Sequence, residues 1–439
     1  MNNLKNILKN TTPTFRNAMS NLTWLSFDRV VRTIGAVFVN VIITRYLGPE
    51  NFGILNYAIA FAGIFTPIIG LGLNAIVIRD IVRNVENKDE ILGTAFVLRK
   101  YGGVVAIIFS AIGIFLIKPD DYRMQILVII TSIGLAFQAF EVIDFWFQSQ
   151  VQSKYTVIAK NLAFFIIAIF KIIFVLLNAD ILVFIILGSI EFVVAALALI
   201  YMYKKSGNTI RKWKYSSEQA KYFLASCWPI IISDIAVFAQ IRIDQIMIGH
   251  FLSNKELGFY AAAQRLSEPL GFIPMIILTS VYPVFLKIKE KSEKEFYERL
   301  TNLYRLMFIL TILICLPISF FSEAIVNLLY GKEFLFSASI LSLLIWTRFY
   351  AFYGVARSIV ISADNLFTHT LISSSCGVTV NLISNYFLIP KIGIVGAIIS
   401  THLSFIVTIF LFDAFAKKTQ TNFKAMIYAM LTFYKFKLK

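Results

Sequence analysis

The sequence is poor in charge and in the residues that build catalytic or metal sites. Asp, Glu, Lys and Arg make up 15% of its 439 residues, whereas a soluble domain has about 25%. The three cysteines each lie in an apolar stretch without a partner nearby, so we interpret them as small apolar fillers rather than a disulfide or metal site. The three histidines are isolated and lack the spacing of metal ligands.

Signals for nucleotide chemistry and for secretion are missing as well. No glycine-rich phosphate loop of the Walker type occurs, so the sequence gives no basis for ATP hydrolysis. The first 20 residues are polar and basic, and they lack the apolar core of a signal peptide. We therefore predict a protein that is not an enzyme, with no cofactor beyond a coupling ion, H⁺ or Na⁺.

The composition is dominated instead by apolar residues. They make up 58% of the chain and include 42 phenylalanines, well above the soluble average of about 45–50% apolar residues. A membrane-spanning helix needs roughly 20 mostly apolar residues. On this criterion the sequence predicts an all-α polytopic membrane protein with twelve spans, at 21–46, 53–78, 94–117, 123–147, 156–178, 181–203, 222–251, 258–286, 301–321, 335–361, 367–389 and 392–415.

The basic residues predict an orientation in the membrane. Most Lys and Arg fall in alternate loops and in the C-terminal tail, which the positive-inside rule places in the cytoplasm together with the N-terminus. The net charge of +16 then reflects topology. No basic patch is paired with a platform of aromatic residues, so we expect membrane lipids as partners and no nucleic acid.

A loose repeat divides the chain into two halves. "TRYLGPENFGILNY" (44–57) returns as "GHFLSNKELGFYAA" (249–262), which aligns Pro49 with Asn254 and Gly53 with Gly258. Each half then holds six spans in the same orientation, related by a pseudo-two-fold axis along the membrane normal. The alternative is a chance similarity of short glycine-containing loops. The predicted regions are an N-terminal bundle (1–203), a basic cytoplasmic linker (204–221), a C-terminal bundle (222–415) and a basic tail (416–439), either an interfacial helix or disordered.

Charged residues inside the predicted spans are the candidate functional groups. A charge at the bilayer centre costs about 2.5–3.5 kcal/mol on insertion scales, so such groups face an interior cavity or pair with each other. The predicted set leans cationic, and a cationic cavity implies an anionic cargo. The candidate cargo-binding residues are Arg29, Arg32, Lys171, Arg242 and Arg265, and the candidate ion-coupling residues are Asp28, Asp244 and Glu268.

Sequence spacing suggests partners for some of these charges. Asp28 and Arg32 are four residues apart, and Arg265 and Glu268 are three apart, so each pair could form on one helix face. No obvious local partner exists for Arg29, Lys171 or Arg242. The alternative is that these charges are salt bridges between packed helices, or side chains that reach the membrane surface from helix ends.

Several segments resemble a known family. "TRYLGPENFGILNYAIAFAGIFTPIIGLGLNAIVIRDIVRN" (44–84), "FEVIDFWFQSQVQSKYTVIAKN" (140–161) and "NLISNYFLIPKIGIVGAIISTHLS" (381–404) are similar to Wzx-type O-antigen flippases of the multidrug/oligosaccharidyl-lipid/polysaccharide (MOP) exporter superfamily. The resemblance implies a MATE-like fold of two six-helix bundles around a cationic cavity. It also implies transport of an undecaprenyl-diphosphate-linked oligosaccharide to the periplasmic face of the bacterial inner membrane, with the polysaccharide polymerase and chain-length machinery as partners.

Three alternatives remain at this point. A MATE-type drug/cation antiporter handles cationic cargo, which a cavity rich in Arg and Lys does not favour. A lipid II flippase is expected to have about two more spans than this sequence. The third alternative is a membrane scaffold without transport activity, and only the charges predicted to lie in the membrane argue against it.

Overall fold

The computed structural model describes the backbone of residues 13–436 and the side chains of residues 35–436. All regular secondary structure in this range is helical, as the apolar composition predicts. The main helices are α1 (Pro13–Ile64), α2 (Thr66–Gly70), α3 (Asn74–Arg83), α4 (Lys88–Ile117), α5 (Tyr122–Ala136), α6 (Val142–Ser149), α7 (Ser153–Leu176), α8 (Ile181–Lys205), α9 (Ser217–Phe251), α10 (Asn254–Ser267), α11 (Phe272–Lys291), α12 (Glu293–Phe320), α13 (Ser322–Tyr330), α14 (Phe336–Leu344), α15 (Thr347–Ala363), α16 (Phe367–Ile392), α17 (Ile394–Phe405), α18 (Phe412–Phe415) and α19 (Gln420–Leu431).

Ten helical stretches in the described part of the chain are long and apolar enough to cross a membrane. They correspond one by one to the third to twelfth predicted spans. They are Val85–Ile117, Tyr122–Ser149, Ser153–Leu176, Ile181–Lys205, Ser217–Phe251, Asn254–Lys291, Glu293–Phe320, Phe336–Ala363, Phe367–Ile392 and Ile394–Phe415.

The two remaining predicted spans lie in the N-terminal helices. α1 is continuous except at Gly48, which has φ 66° and is followed by Pro49, so the predicted break between the first two spans is confirmed. Gly35–Ile64 and Thr66–Arg83 pass the membrane criterion together across a 42° bend, which gives an eleventh candidate. Much of the first predicted span, 21–46, lies outside the described side chains.

Turn chemistry ends the helices where the sequence predicts breaks. Gly331 and Gly393 have φ of 87° and 63°, a backbone conformation that glycine adopts without strain. α16 runs through Pro390 and ends only at Ile392. The short predicted break before the sixth span is also confirmed, because the Asp180 side chain accepts a hydrogen bond from the Leu182 N–H and caps α8.

The chain folds as two compact units. The first holds the chain up to Ile43 together with Phe61–Ile235, and the second holds Thr44–Ala60 and Ala236–Lys439. Buried aromatic residues such as Phe147, Tyr203 and Phe223 lie in the core of the first unit. The core of the second is built around residues such as Tyr304, Tyr353 and Met426.

The C-terminal tail forms a helix that is part of the second unit. Met426 and Ala429 of α19 are buried in its core, and the Tyr304 hydroxyl of α12 donates a hydrogen bond of 2.9 Å to Asn422. Residues Gln420–Leu431 are therefore helical and packed on the second unit, while the predicted position of the tail at the membrane surface stays a prediction.

The two repeated segments meet inside the second unit. A Cβ atom added to Gly53 would lie 1.7 Å from the Asn254 carbonyl oxygen, and one added to Gly258 would lie 1.9 Å from the Pro49 carbonyl oxygen. The contact is reciprocal. The two glycines align with each other in the repeat, and the residues that they contact, Asn254 and Pro49, also align with each other. The two segments thus pack with a local two-fold relationship, which agrees with the internal repeat in the sequence.

Candidate functional site: charged residues in the membrane-spanning helices

Two arginines of the second unit lie near one glutamate, and a third arginine lies near the first of them. Nη1 of Arg242 on α9 lies 3.7 Å from Oε1 of Glu268, and Arg242 also interacts electrostatically with Arg265. Arg348 on α15 interacts electrostatically with Glu268, and its Nε is buried without a hydrogen-bond partner among the described residues. The structure therefore brings the predicted residues Arg242, Arg265 and Glu268 together and adds Arg348 to them.

The pairing within this arginine cluster (Arg242, Arg265, Arg348 and Glu268) differs from the sequence-based expectation. Arg265 donates a hydrogen bond of 3.2 Å to the side-chain oxygen of Asn56. Glu268 accepts a hydrogen bond from Gln264, and the arginine with which it forms an ion pair is Arg242. The expected pair of Arg265 with Glu268 assumed a continuous α-helix. α10 ends at Ser267 and Glu268 begins a short 3₁₀ turn, but Glu268 still accepts from Gln264 four residues earlier. The expected pair is absent because Arg265 contacts Asn56 instead.

Asp244 lies in a separate polar pocket of the same unit. Its side chain is only 3% exposed. Its carboxylate accepts hydrogen bonds from the Tyr260 hydroxyl at 3.2 Å, the Asn385 amide at 2.7 Å and the Thr401 hydroxyl at 2.5 Å. These donors are neutral, and they come from α10, α16 and α17. Oδ1 of Asn385 is itself buried without a partner among the described residues.

Lys171 of the first unit is paired with a carboxylate. Its Nζ lies 3.1 Å from Oε2 of Glu191 on the next helix. Lys171 has no local partner in the sequence because 20 residues separate it from Glu191. The pair is neutral overall, so Lys171 adds no net charge to its surroundings.

A second network in the first unit joins two cations and two carboxylates. Glu141 contacts both the buried Arg99 and Lys160 at 3.2 Å, and Lys160 lies 3.2 Å from Asp144 as well. All four residues lie within predicted spans, Arg99 in the third, Glu141 and Asp144 in the fourth and Lys160 in the fifth. The rule that a charge within a span marks a paired or functional group therefore applies to each of them.

A third charged group lies at the ends of three spans in the second unit. Asp413 is fully buried and forms a two-pronged ion pair with Arg357, at 2.9 Å to Nε and 2.7 Å to Nη2. Nε2 of His369 lies 2.7 Å from the same carboxylate, and Asn422 of α19 donates to it at 3.0 Å. His369 is isolated in the sequence because its partner, Asp413, is 44 residues away.

The predicted residues Asp28, Arg29 and Arg32 fall on the first part of α1. Their side chains lie outside the described residues, so their predicted roles stay predictions.

Comparison with known proteins finds a family model and relatives that match this chain. Residues 18–289 match the model of the family described as "polysaccharide biosynthesis protein". A candidate O-antigen transporter of Shigella flexneri is 26% identical over 403 residues, which cover 87% of this chain and 93% of that protein. The candidate low-salt glycan biosynthesis flippase Agl15 of Haloferax volcanii is 26% identical over 178 residues, 40% of this chain and 38% of that protein.

Solved structures share the fold at low sequence identity. The lipid II flippase MurJ, in an inward closed conformation, superposes with a TM-score of 0.71 and 18% identity, covering 95% of this chain and 92% of that one. An inward-facing MATE family transporter of the MOP superfamily gives a TM-score of 0.69 and 17% identity, covering 94% and 97%. Because residues 18–289, more than half of its length, match this family model, the chain belongs to the polysaccharide biosynthesis protein family.

Proposed function

We propose that the protein is a flippase for an oligosaccharide repeat unit linked to undecaprenyl diphosphate, which it carries from the cytoplasmic to the periplasmic leaflet of a bacterial inner membrane by alternating access. The observation that carries the proposal is the arginine cluster in membrane-spanning helices of a chain that belongs to a polysaccharide biosynthesis family. The described relatives from Shigella flexneri and Haloferax volcanii, named for O-antigen transport and glycan flipping, support this cargo class.

The chemistry of the cluster suits a diphosphate. Guanidinium groups remain ionised in a poorly hydrated site and bind phosphate oxygens with two N–H groups at once. Among the described arginines, Arg242 is held by a carboxylate, whereas Arg265 is held by the neutral amide of Asn56. Arg265 is therefore the arginine that an incoming anion could most easily engage. Arg29 and Arg32, predicted on the first span, and Lys171 remain proposed contributors to the same cavity.

The same cluster argues against a drug/cation antiporter. Arg242, Arg265 and Arg348 outnumber the carboxylates of Glu268 and Asp244, and a cationic drug would be repelled by the excess positive charge. Lipid II also carries a lipid-linked diphosphate, so the arginine cluster alone does not separate it from a repeat-unit cargo. An experiment in cells has to make that distinction.

The proposed arrangement in the cell completes this function. Both termini lie in the cytoplasm, and the bundles 1–203 and 222–415 are joined by the linker 204–221 and followed by the basic tail 416–439. The polysaccharide polymerase and the chain-length machinery would receive the cargo on the periplasmic side. Reporter fusions after Lys118 and after Lys212 test the topology, because they should report from opposite sides, with the first in the periplasm.

Deletion of the gene tests the cargo directly. We expect cells without the protein to lack their repeat-unit surface polysaccharide while the lipid-linked unit accumulates on the cytoplasmic face. The measurement is the amount of surface polysaccharide together with a quantification of lipid-linked intermediates. Normal polysaccharide with new drug sensitivity would instead indicate the antiporter, and accumulation of cell-wall precursor would indicate lipid II.

Substitution of the arginines tests the site. Arg242→Ala and Arg265→Ala should each weaken cargo binding roughly ten- to a hundredfold, the effect of losing a charge-assisted hydrogen bond. Lysine at either position should restore part of the loss, because it keeps the positive charge but cannot bind two phosphate oxygens in the two-pronged geometry of a guanidinium group. Export in the deletion strain, at matched protein levels, is the readout. Lys391→Ala is the control, since Lys391 is exposed at the end of α16; equal export by all three alanine variants would reject the site.

The Asp244 pocket is the proposed site of ion coupling. A buried carboxylate among neutral donors, next to the unpartnered Oδ1 of Asn385, offers oxygen atoms that fit a proton or a small hard cation such as Na⁺. Glu268, by contrast, lies near Arg242, which favours the interpretation that it neutralises an arginine. Asp28 remains a candidate on sequence grounds.

Asp244→Asn separates coupling from cargo binding. An amide keeps the size of the side chain but removes its charge, so transport should lose its dependence on an ion gradient while cargo binding persists. The measurement is flipping in proteoliposomes with and without imposed Na⁺ and pH gradients. Asp234→Asn, on the same helix but outside the pocket, should keep the dependence of the parent. A variant at Asp244 that still responds to the gradient would show that coupling lies elsewhere.

A further inference from the structure

One segment of the N-terminal half is built into the second unit. Thr44–Ala60, here called the corner segment, belongs to that unit, although the chain on both sides of it belongs to the first. It contains the bend of α1 at Gly48. Its residues Thr44, Phe52 and Tyr57 are buried, so the corner segment is an integrated part of the second unit in this conformation.

Specific polar contacts hold the corner segment in place. The guanidinium group of Arg45 donates hydrogen bonds to the backbone carbonyls of Leu328 and Leu329, the latter at 2.6 Å. These carbonyls lie in the last turn of α13, where the helix end carries unsatisfied acceptors and partial negative charge. Arg45 therefore acts as a cap that ties the corner segment to α13.

The reciprocal glycine contact brings the corner segment against the start of α10. Gly53 and Gly258 each allow a backbone carbonyl of the other segment to approach where a side chain would collide. No flexible side chain lies at this contact that could adjust to a small displacement of either segment. A contact of this kind is therefore either packed or parted, and a gate requires two such discrete states.

Asn56 links this contact to the arginine cluster. It is 1% exposed, its amide donates to the Phe52 carbonyl at 2.7 Å, and its side-chain oxygen accepts from Arg265 at 3.2 Å. One side chain therefore holds both the backbone of the corner segment and a proposed cargo-binding arginine.

We propose that Asn56 is a positioning residue that couples cargo binding to release of the corner segment: when a lipid diphosphate engages Arg265, Asn56 loses its partner and the packed contact parts. This inference rests on the proposed function. In the resting contact only the arginine is charged, whereas a phosphate supplies an ionised acceptor that the guanidinium group can bind with two N–H groups at once. The arginine thus exchanges one partner for another, and the cargo's binding energy favours the open state of the corner segment.

A buried cysteine reports whether the corner segment is packed. Thr44 is fully buried, and its hydroxyl has no hydrogen-bond partner in the described part of the chain, so Thr44→Cys is a mild change. In a background with Cys376→Ser, the rate of reaction with a membrane-impermeant maleimide measures opening. The buried native thiol of Cys315 is the internal control, because it should react only if the fold is lost.

Two substitutions at Asn56 should change this rate in opposite directions without any cargo. Asn56→Ala removes the link and should raise labelling about two- to tenfold, the population change expected for one hydrogen bond. Asn56→Asp gives up the hydrogen bond to the Phe52 carbonyl but places a carboxylate on Arg265. We expect the ion pair to outweigh that loss and to lower labelling. Asn40→Ala is the matched control, since Asn40 makes the same kind of bond to the carbonyl four residues earlier, with no arginine. If both Asn56 variants label like the parent, the inference is wrong.

Undecaprenyl diphosphate in proteoliposomes tests the trigger. It should raise labelling of Thr44→Cys in the parent but not in the Asn56→Asp variant. Thermal stabilisation of the parent by the same lipid measures binding independently. Binding without increased labelling would overturn this inference and leave the proposed function intact, whereas absence of binding would overturn the proposed function and the trigger together. If Cys315 reacts in the Asn56→Ala variant, that variant has lost its fold and only the Asn56→Asp variant tests the proposal. Labelling of the Asn56→Asp variant at the rate of the parent would then reject the proposal.

Discussion

Replacing Asp413 with alanine is expected to lower the free energy of unfolding of the second unit by about 3–5 kcal/mol. The carboxylate is fully buried and holds both nitrogens of the Arg357 fork as well as His369 and Asn422. Removing it leaves a guanidinium group 5% exposed with no compensating charge. An uncompensated buried charge costs far more than the pair contributes, which makes this the most damaging single truncation we expect in this unit.

The measurement is the thermal unfolding of the purified protein in detergent. Asp364→Ala serves as the matched control, because Asp364 pairs with Lys289 at a similar distance, 2.7 Å, but both side chains retain contact with solvent. That variant should lose no more than about 1 kcal/mol. A double replacement, Arg357→Met with Asp413→Leu, should recover much of the stability. If the Asp413 variant unfolds like the Asp364 variant, the buried ion pair has no special role.

Alanine at Gly53 or Gly258 is expected to abolish or severely reduce export. The added Cβ would lie 1.7 or 1.9 Å from a backbone oxygen, and a backbone atom cannot move aside as a side chain can. Overpacking of this kind costs about 1–3 kcal/mol, which shifts the packed population of the corner segment roughly five- to a hundredfold. A transporter that cannot close at this contact cannot complete a cycle of alternating access.

Gly63→Ala is the control for the glycine variants. Gly63 lies on the same helix, and a Cβ added there meets no other atom within 4 Å, so alanine should be neutral or slightly stabilising. Export in the deletion strain and labelling of Thr44→Cys are the two readouts. Variants at Gly53 and Gly258 should export poorly and label quickly. Normal export by both would mean that the close approach is unnecessary for transport.

The helices of this protein could be predicted from sequence because a bilayer constrains each span locally. An apolar run of sufficient length must form a helix, and glycine, proline or a capping Asp must end it. The boundaries at Gly48, Asp180 and Gly331 therefore emerged from the sequence alone. The short helix α13 was missed because it lies in a loop, where this constraint does not apply.

The partners of the charges could not be predicted in the same way. Spacing along one helix identifies possible neighbours but not the partner that is used, and it failed for Arg265, which contacts Asn56 of another helix and not Glu268. Pairs such as Lys171 with Glu191, or Asp244 with Asn385, join different helices and depend on their packing. The sequence signal for Asp413 was nonetheless present, since it is a charge within an apolar run, as Asp244 is.

The reciprocal glycine contact also has a consequence for how the protein is made. Gly53 packs against Asn254, and Pro49 against Gly258, so each contact joins residues separated by about 200 positions. The ribosome therefore delivers the corner segment to the membrane long before the helix it packs on has been synthesised. Until α10 is inserted the buried Asn56 lacks its final partner, and the Arg45 guanidinium lacks its partners until α13 follows. Biogenesis should be sensitive to how quickly the second half follows the first, and chains truncated before α10 should be substrates for membrane quality control.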